Sequence, residues 1–290
     1  MSYVYVIIAT IMFSFVGTLV KTASKMVPAS AVSFSRFFFG ILFLLLLSLI
    51  LRRKTRLYFK SKWIFIAAAA KVLNYFCENT ALRMSASYGN IIVYPVQAVA
   101  LCVFSAIFFK EKIGPRKILA TILCVAGVLM VSINGTRLSA LTREAILPNV
   151  LLMIAALGAA TFILCQKKLA KEVESIDMNT SVFLLGAIFA SVPMGFDAGE
   201  FQSFSWLSLL ALMGLGVITG GAFLLVAKSL EGISLIVSGM IQSGSVLFTL
   251  LWGALLFNEK LTVYTLAGVI IFLGGLVLIN LAPKKGLLKY

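Results

Sequence analysis

Apolar runs of about 20 residues, the length that crosses a bilayer as a helix, follow one another along the chain with short polar breaks. Ten are legible: Tyr3–Val20, Ala29–Leu51, Trp63–Leu82, Tyr88–Phe109 and Arg116–Ile133, then Pro148–Gln166, Met178–Pro193, Phe204–Ala227, Ile233–Phe257 and Val263–Leu281. The seventh is the shortest and stops at Val192-Pro193. The connections leave no room for a soluble domain. The first run has no basic leader and no small-residue cleavage site, so it reads as a retained helix and not a signal peptide. The pattern predicts an all-α integral membrane protein with ten transmembrane helices.

Composition agrees. Hydrophobic residues make up 61% of the 290 and charged residues 12%, against about 45–50% and about 25% in soluble domains. Histidine is absent, which removes the commonest general base and the usual zinc ligand together. Cys77, Cys102, Cys124 and Cys165 stand singly in apolar stretches with no C-x-x-C pair, as small buried fillers do. No cofactor, metal centre or nucleic-acid surface is expected, because no basic stripe runs between the apolar segments.

The basic excess, 25 Lys and Arg against 10 Asp and Glu, is instead a topology signal. With the N-terminus in the cytoplasm, the inside segments are Arg52–Lys62 with six basic residues, Lys110–Lys117 with four, Lys167–Ser175 with three, Lys228–Gly232 with one and the tail Pro283–Tyr290 with three, 17 in all. The outside segments hold six: Lys21, Lys25, Arg83, Arg137, Arg143 and Lys260. Basic loops stay inside, so both termini are expected in the cytoplasm, in the cell (inner) membrane. The Arg52–Lys62 loop also suits anionic lipid headgroups.

Two segments repeat. Phe109-Lys110-Glu111-Lys112-Ile113 matches Phe257-Asn258-Glu259-Lys260-Leu261 at an offset of 148, which also aligns Leu82 with Leu230 and Gly127 with Gly275. Earlier, an offset of 146 pairs Lys21 with Lys167, Lys25 with Lys171, Ser35 with Ser181, Phe37 with Phe183 and Gly40 with Gly186. The domains are then residues 1–134 and 148–282, five helices each, with a basic tail at 283–290. Five is odd, so the halves must run in opposite directions, and the loop charges agree. Inverted repeats belong to secondary transporters, whose substrate sites lie near the midplane between the repeats.

Ser33-Phe34-Ser35-Arg36-Phe37 in the second run, Ala81-Leu82-Arg83-Met84-Ser85-Ala86-Ser87 before the fourth, Tyr94-Pro95 within it, Phe108-Phe109-Lys110-Glu111-Lys112 at its close and Gly127 in the next occur in the order and spacing of one family. Over nearly its whole length the chain resembles the EamA-type drug/metabolite transporter superfamily. The resemblance implies a central cavity lined by both halves and movement of small organic solutes by exchange or a proton gradient. It names no substrate. One departure is Ser243 where the first half has Pro95; the ninth helix is expected to be the straighter of the two, with a kink at Pro95 in the fourth.

Ionisable groups inside a bilayer are costly and face a cavity or a partner. Of the acidic residues only Glu78 falls within a run, and Lys71 stands in the same one. Lys71, Asn74, Tyr75 and Glu78 follow an i, i+3, i+4, i+7 pattern and so share one helix face. Lys71 and Glu78 lie about 10 Å apart along the axis, too far for a direct pair and suited to a solute with two charges. The plainer readings are that Glu78 snorkels to the outer interface near Arg83 and that Lys71 sits in a structural ion pair. A carboxyl at this depth is also the proton-coupling candidate. A second signal is a polar stripe: Asn90, Tyr94 and Gln97 align at the 148 offset with Ser238, Gln242 and Ser245. It lines a cavity, or bonds helix to helix, or both. Arg36 reads as a structural contact. The glycines at 214, 216, 220 and 221, and Gly268, Gly274 and Gly275, suit close packing, internal or at a homodimer contact.

The expected function is secondary transport of a small polar or amphoteric metabolite, amino-acid-like or drug-like, by alternating access driven by a gradient or exchange. The expected partners are a small-molecule substrate and membrane lipids. The alternative is a membrane enzyme or lipid-modifying protein working through Glu78, which needs a second acid or a metal cluster near by. The sequence shows neither.

Overall fold

In the computed structural model the described residues are 1–84, 93–111, 113–133, 143–257 and 262–280. All regular structure among them is helical, as a bilayer requires of segments that must satisfy their own backbone. The α-helices are α1 (Ser2–Phe13), α2 (Val16–Ala23), α3 (Ala29–Ile50), α4 (Lys62–Met84), α5 (Val93–Phe109), α6 (Pro115–Ile133), α7 (Arg143–Leu169), α8 (Ser175–Phe196), α9 (Trp206–Val217), α10 (Phe223–Leu230), α11 (Leu235–Ser243), α12 (Ser245–Phe257) and α13 (Val263–Asn280). Among the described residues five segments are long and apolar enough to cross a membrane: Ser2–Ala23, Ala29–Ile50, Leu147–Leu169, Ser175–Phe196 and Trp206–Leu230.

Several runs differ in detail from the sequence reading. The seventh does not stop at Pro193: α8 continues to Phe196, and Pro193 accepts a bond from the Asp197 amide at 3.3 Å. The first run breaks at Ser14, whose carbonyl accepts from Thr249 Oγ1 at 3.3 Å and whose hydroxyl accepts from Trp252 Nε1 at 2.8 Å. The ninth, expected to be the straighter, breaks at Gly244 between α11 and α12, where the amide bonds back to Ile241 O at 2.9 Å. The kink expected at Pro95 falls at the edge of the described residues. The eighth carries a π-helical turn, Ile218–Ala222, between α9 and α10. Its Gly220 lets α3 approach so closely that a Cβ there would stand 2.8 Å from Gly40 O. Asn258-Glu259-Lys260-Leu261 and the tail 283–290 lie outside the described residues.

Packing runs mainly between the two halves: α4 against α7, α6 against α13, α3 against α8 and α9, α5 against α11, and α1 and α2 against α10 and α9. Polarity is inside out. Leu42, Leu46, Leu49, Val103, Ile122 and Leu210 are exposed, while Arg36, Lys71, Glu78 and Gln242 are buried. At one end of the bundle Arg53 pairs with Glu174 and, at 2.9 Å, with Asp177, so this member of the basic loop is held by α8. At the other end Arg83 pairs with Glu200 and Ser30 donates to Asp197, both at 2.5 Å.

Glycine sets the spacing of α6 and α13. A Cβ at Gly127 would lie 2.6 Å from Gly268 O and the Phe272 amide, and one at Gly275 would lie 2.7 Å from Cys124 Sγ and 2.9 Å from Ala120 O. At the 148 offset 120 corresponds to 268, 124 to 272 and 127 to 275, so the contact occurs twice with the halves exchanged. Gly127→Leu or Gly275→Leu should therefore cost about 1–3 kcal/mol through overpacking, read as a lowered thermal midpoint in detergent. Gly274→Leu should be neutral, because nothing lies within 4 Å of a Cβ there. Equal midpoints for Gly274→Leu and Gly275→Leu would show that the two helices are not packed this way.

Candidate functional site

The site starts from α4, whose 23 residues carry Lys71, Asn74, Tyr75 and Glu78 along one face. That face is turned inward, with exposures of 1% for Lys71 and 6% for Glu78. Lys71 Nζ donates to Asn74 Oδ1 at 2.8 Å and stands over the rings of Phe223 (3.7 Å), Tyr75 (4.3 Å) and Phe162 (5.1 Å). Aromatic faces attract a desolvated cation. Asn74 is fixed in turn by its amide, which donates to Ala155 O of α7 at 2.9 Å. The π-turn presents Thr219, whose hydroxyl is 2.9 Å from the Tyr75 phenol.

Glu78 does not snorkel. Its carboxylate accepts from Arg36 NH1 of α3 at 3.0 Å, and the same nitrogen reaches Asn79 Oδ1 at 3.2 Å. Asn79 donates onward to Ser33 Oγ at 2.8 Å. The central carbon of the Arg36 guanidinium stands over Tyr75, 3.6 Å from the ring centre. Arg83, the residue expected to draw Glu78 outward, is turned to Glu200 instead. The ion-pair reading of Lys71 is also replaced: among the described residues no carboxylate lies within ion-pair distance of it, and its neighbours are an amide and three rings.

The polar stripe meets this cluster from the other side. Gln97 of α5 donates to Gln242 Oε1 of α11 at 3.4 Å, and Gln242 donates to Ser238 Oγ at 3.0 Å. Ser243, in the place of Pro95, donates to Tyr94 O at 3.2 Å and to Gly239 O at 3.0 Å. The Gln97–Gln242 and Ser243–Tyr94 bonds join α5 to α11, the other two stay within α11, and Tyr94, Gln97 and Gln242 also border a cavity.

That cavity, of about 30 Å³, is lined by Arg36, Lys71, Asn74, Glu78, Tyr94, Gln97 and Gln242, with Phe13, Val16, Val93, Ala159 and Phe223 as its apolar wall. Of the residues predicted from sequence, six line it. Tyr75, Ser238 and Ser245 stand buried behind it, and Asn90 lies outside the described residues. Arg36, read from the sequence as a structural contact, makes that contact with Glu78 and Asn79 and also lines the cavity. Its signal was there, a basic residue inside an apolar run, but nothing in the spacing shows that α3 delivers it to α4. Phe162 and Phe223 had no signal at all in a chain with 23 phenylalanines. Among the described residues all three charges come from α3 and α4 of the first half, which also supplies Asn74, Tyr94 and Gln97, while the second half contributes Ala159, Phe223 and the neutral polar Gln242.

Comparison with known proteins fits this arrangement. The pattern of the EamA-like transporter family matches residues 1–133 and again 146–281. A protein of Bacillus subtilis (strain 168), named "Uncharacterized transporter YetK", is 28% identical over 100 residues, which cover 34% of this chain and 30% of that protein. A solved structure titled "Crystal structure of protein" superposes with a TM-score of 0.79 over 97% of this chain and 96% of that one, at 14% identity. At that identity the likeness speaks for the fold.

Proposed function

The chain belongs to the EamA-like transporter family and is a multi-pass membrane transporter, and from that premise we propose that it carries a small polar metabolite through the cavity between its halves by alternating access. The observation that carries the reading is the buried cluster of Arg36, Lys71 and Glu78, joined across the half boundary by Gln97 and Gln242. Buried ionisable groups in a membrane mark a pathway, and sites of this kind sit between repeats. The present cavity has room for no more than a few waters, so the halves must rock apart to admit a larger solute. The reciprocal contacts of α6 with α13, and the way α1 and α2 lie along α10 and α9 as α7 lies along α4, support two inverted repeats of five helices. The braces at the two ends, Arg53 with Asp177 and Arg83 with Glu200, are the contacts that such rocking would break by turns.

The driving force in this reading is a gradient or exchange. Glu78, the one carboxylate lining the cavity among the described residues, is the proton-coupling candidate in this reading. The enzyme alternative draws on a single carboxylate here, already bonded to arginine, and a family assignment that points to transport. Purified protein in proteoliposomes should accumulate a solute and return it chemically unchanged, with an imposed pH gradient altering the rate. Conversion of the solute would favour the enzyme, and no movement of any of a broad metabolite mixture would count against transport.

Orientation follows from the loop charges, with both termini cytoplasmic in the inner membrane. A cysteine placed at Gly199 should react with an impermeant thiol reagent added to intact cells, and one placed at Thr55 should not. The opposite labelling would reverse the orientation.

A further inference from the structure

We propose that Lys71 and Arg36 form an anion site, and that the transported solute is bound through a carboxylate placed between them; this rests on the transport reading and names its substrate class. Three observations lead to it. The cavity wall holds two cations and one carboxylate, and that carboxylate already belongs to Arg36. The cations are close: the ammonium of Lys71 and the guanidinium of Arg36 lie 4.3 and 3.6 Å from the same Tyr75 ring centre, which bounds their separation at about 8 Å. Both have hydrogen-bonding capacity left over. Among the described residues Lys71, which carries three donors, has one oxygen partner, Asn74, and the buried Arg36 Nε has no hydrogen-bond partner.

A buried donor without an acceptor is costly, and a buried cation without a counter-ion more so. Aromatic faces meet part of that cost at Lys71 and leave its charge uncancelled. A monoanion entering the cavity brings the fixed charge to balance and supplies acceptors to Lys71 and Arg36 at once. The neutral side of the cavity adds donors, the Tyr94 phenol and the Gln97 amide. A lone amine finds the reverse: two cations facing it and a carboxylate already occupied. An amphoteric solute is thus held by its acid end, and Glu78 is not the primary anchor of its amine.

The test uses crystals of the full-length protein soaked in sodium bromide, with anomalous scattering locating the anion. A bromide peak is expected within hydrogen-bond range of Lys71 Nζ. It should vanish in Lys71→Met, fade on adding acetate and persist on adding ethylammonium. Bromide peaks on the protein surface with none at Lys71, or displacement by ethylammonium but not by acetate, would overturn the assignment. Either result leaves the transport reading standing, because solute accumulation in proteoliposomes is measured separately.

Discussion

Replacing Arg36 by leucine should destabilise the protein more than any other single change in the cavity, by about 3–5 kcal/mol, and stop transport. The guanidinium is 2% exposed and is the ion-pair partner of Glu78, a hydrogen-bond donor to Asn79 and a lid over the Tyr75 ring. Removing one member of a buried pair leaves the other charge uncompensated, and that penalty is larger than the net worth of the pair. The double variant Arg36→Leu with Glu78→Leu should recover much of the thermal midpoint, since two apolar groups in place of a buried pair are often tolerated, and should remain inactive. If the single and double variants melt together, the pair is not carrying the charge balance of the cavity.

Lys71→Met should do the opposite to the fold. The ammonium has no carboxylate partner among the described residues, so exchanging it for a flexible thioether of similar length strands no charge and keeps contact with the three rings. The expected thermal midpoint is that of the parent or higher. Transport in proteoliposomes should nonetheless fall at least tenfold, since the loss of one charge-assisted contact is worth on the order of 1.5–3 kcal/mol. Such a split, a stable protein without activity, separates a substrate-binding lysine from a structural one. A variant that transports like the parent would remove Lys71 from the site.

These two variants also show where reading along the chain succeeds and where it stops. The helical face of Lys71, Asn74, Tyr75 and Glu78 is a matter of spacing, and the structure turns it inward. Any charge inside an apolar run must find a cavity or a partner, so Lys71, Glu78 and Arg36 stand out before any fold is known. Which of them find each other is a different question. Glu78 has Arg83 five residues away and Arg36 forty-two residues away, yet it pairs with the distant one. Local spacing favours the wrong partner because it cannot register that α3 and α4 lie side by side.

Broken helices divide in the same way. The ninth run was expected to be straighter for want of a proline, but it breaks at Gly244, beside the break at Ser14 in the first. Thr249 and Trp252 of α12 bond Ser14, and such compensation is invisible until the two helices meet. The π-turn at Ile218–Ala222 is of this kind too, since it brings Thr219 to Tyr75.

Apolar runs were enough for the class of protein, because bilayer thickness and backbone satisfaction act on each segment separately, and the motifs from Ser33-Phe34-Ser35-Arg36-Phe37 to Gly127 carried the resemblance to the family. The Arg36–Glu78 pair was settled by α3 meeting α4, and the enclosure of Lys71 by Phe162 and Phe223 and the reciprocal packing of Gly127 and Gly275 by the docking of one half against the other. That docking joins residues far apart in the chain, 81 positions for Asn74 and Ala155 and 144 for Tyr75 and Thr219, and no periodicity within a single helix encodes it.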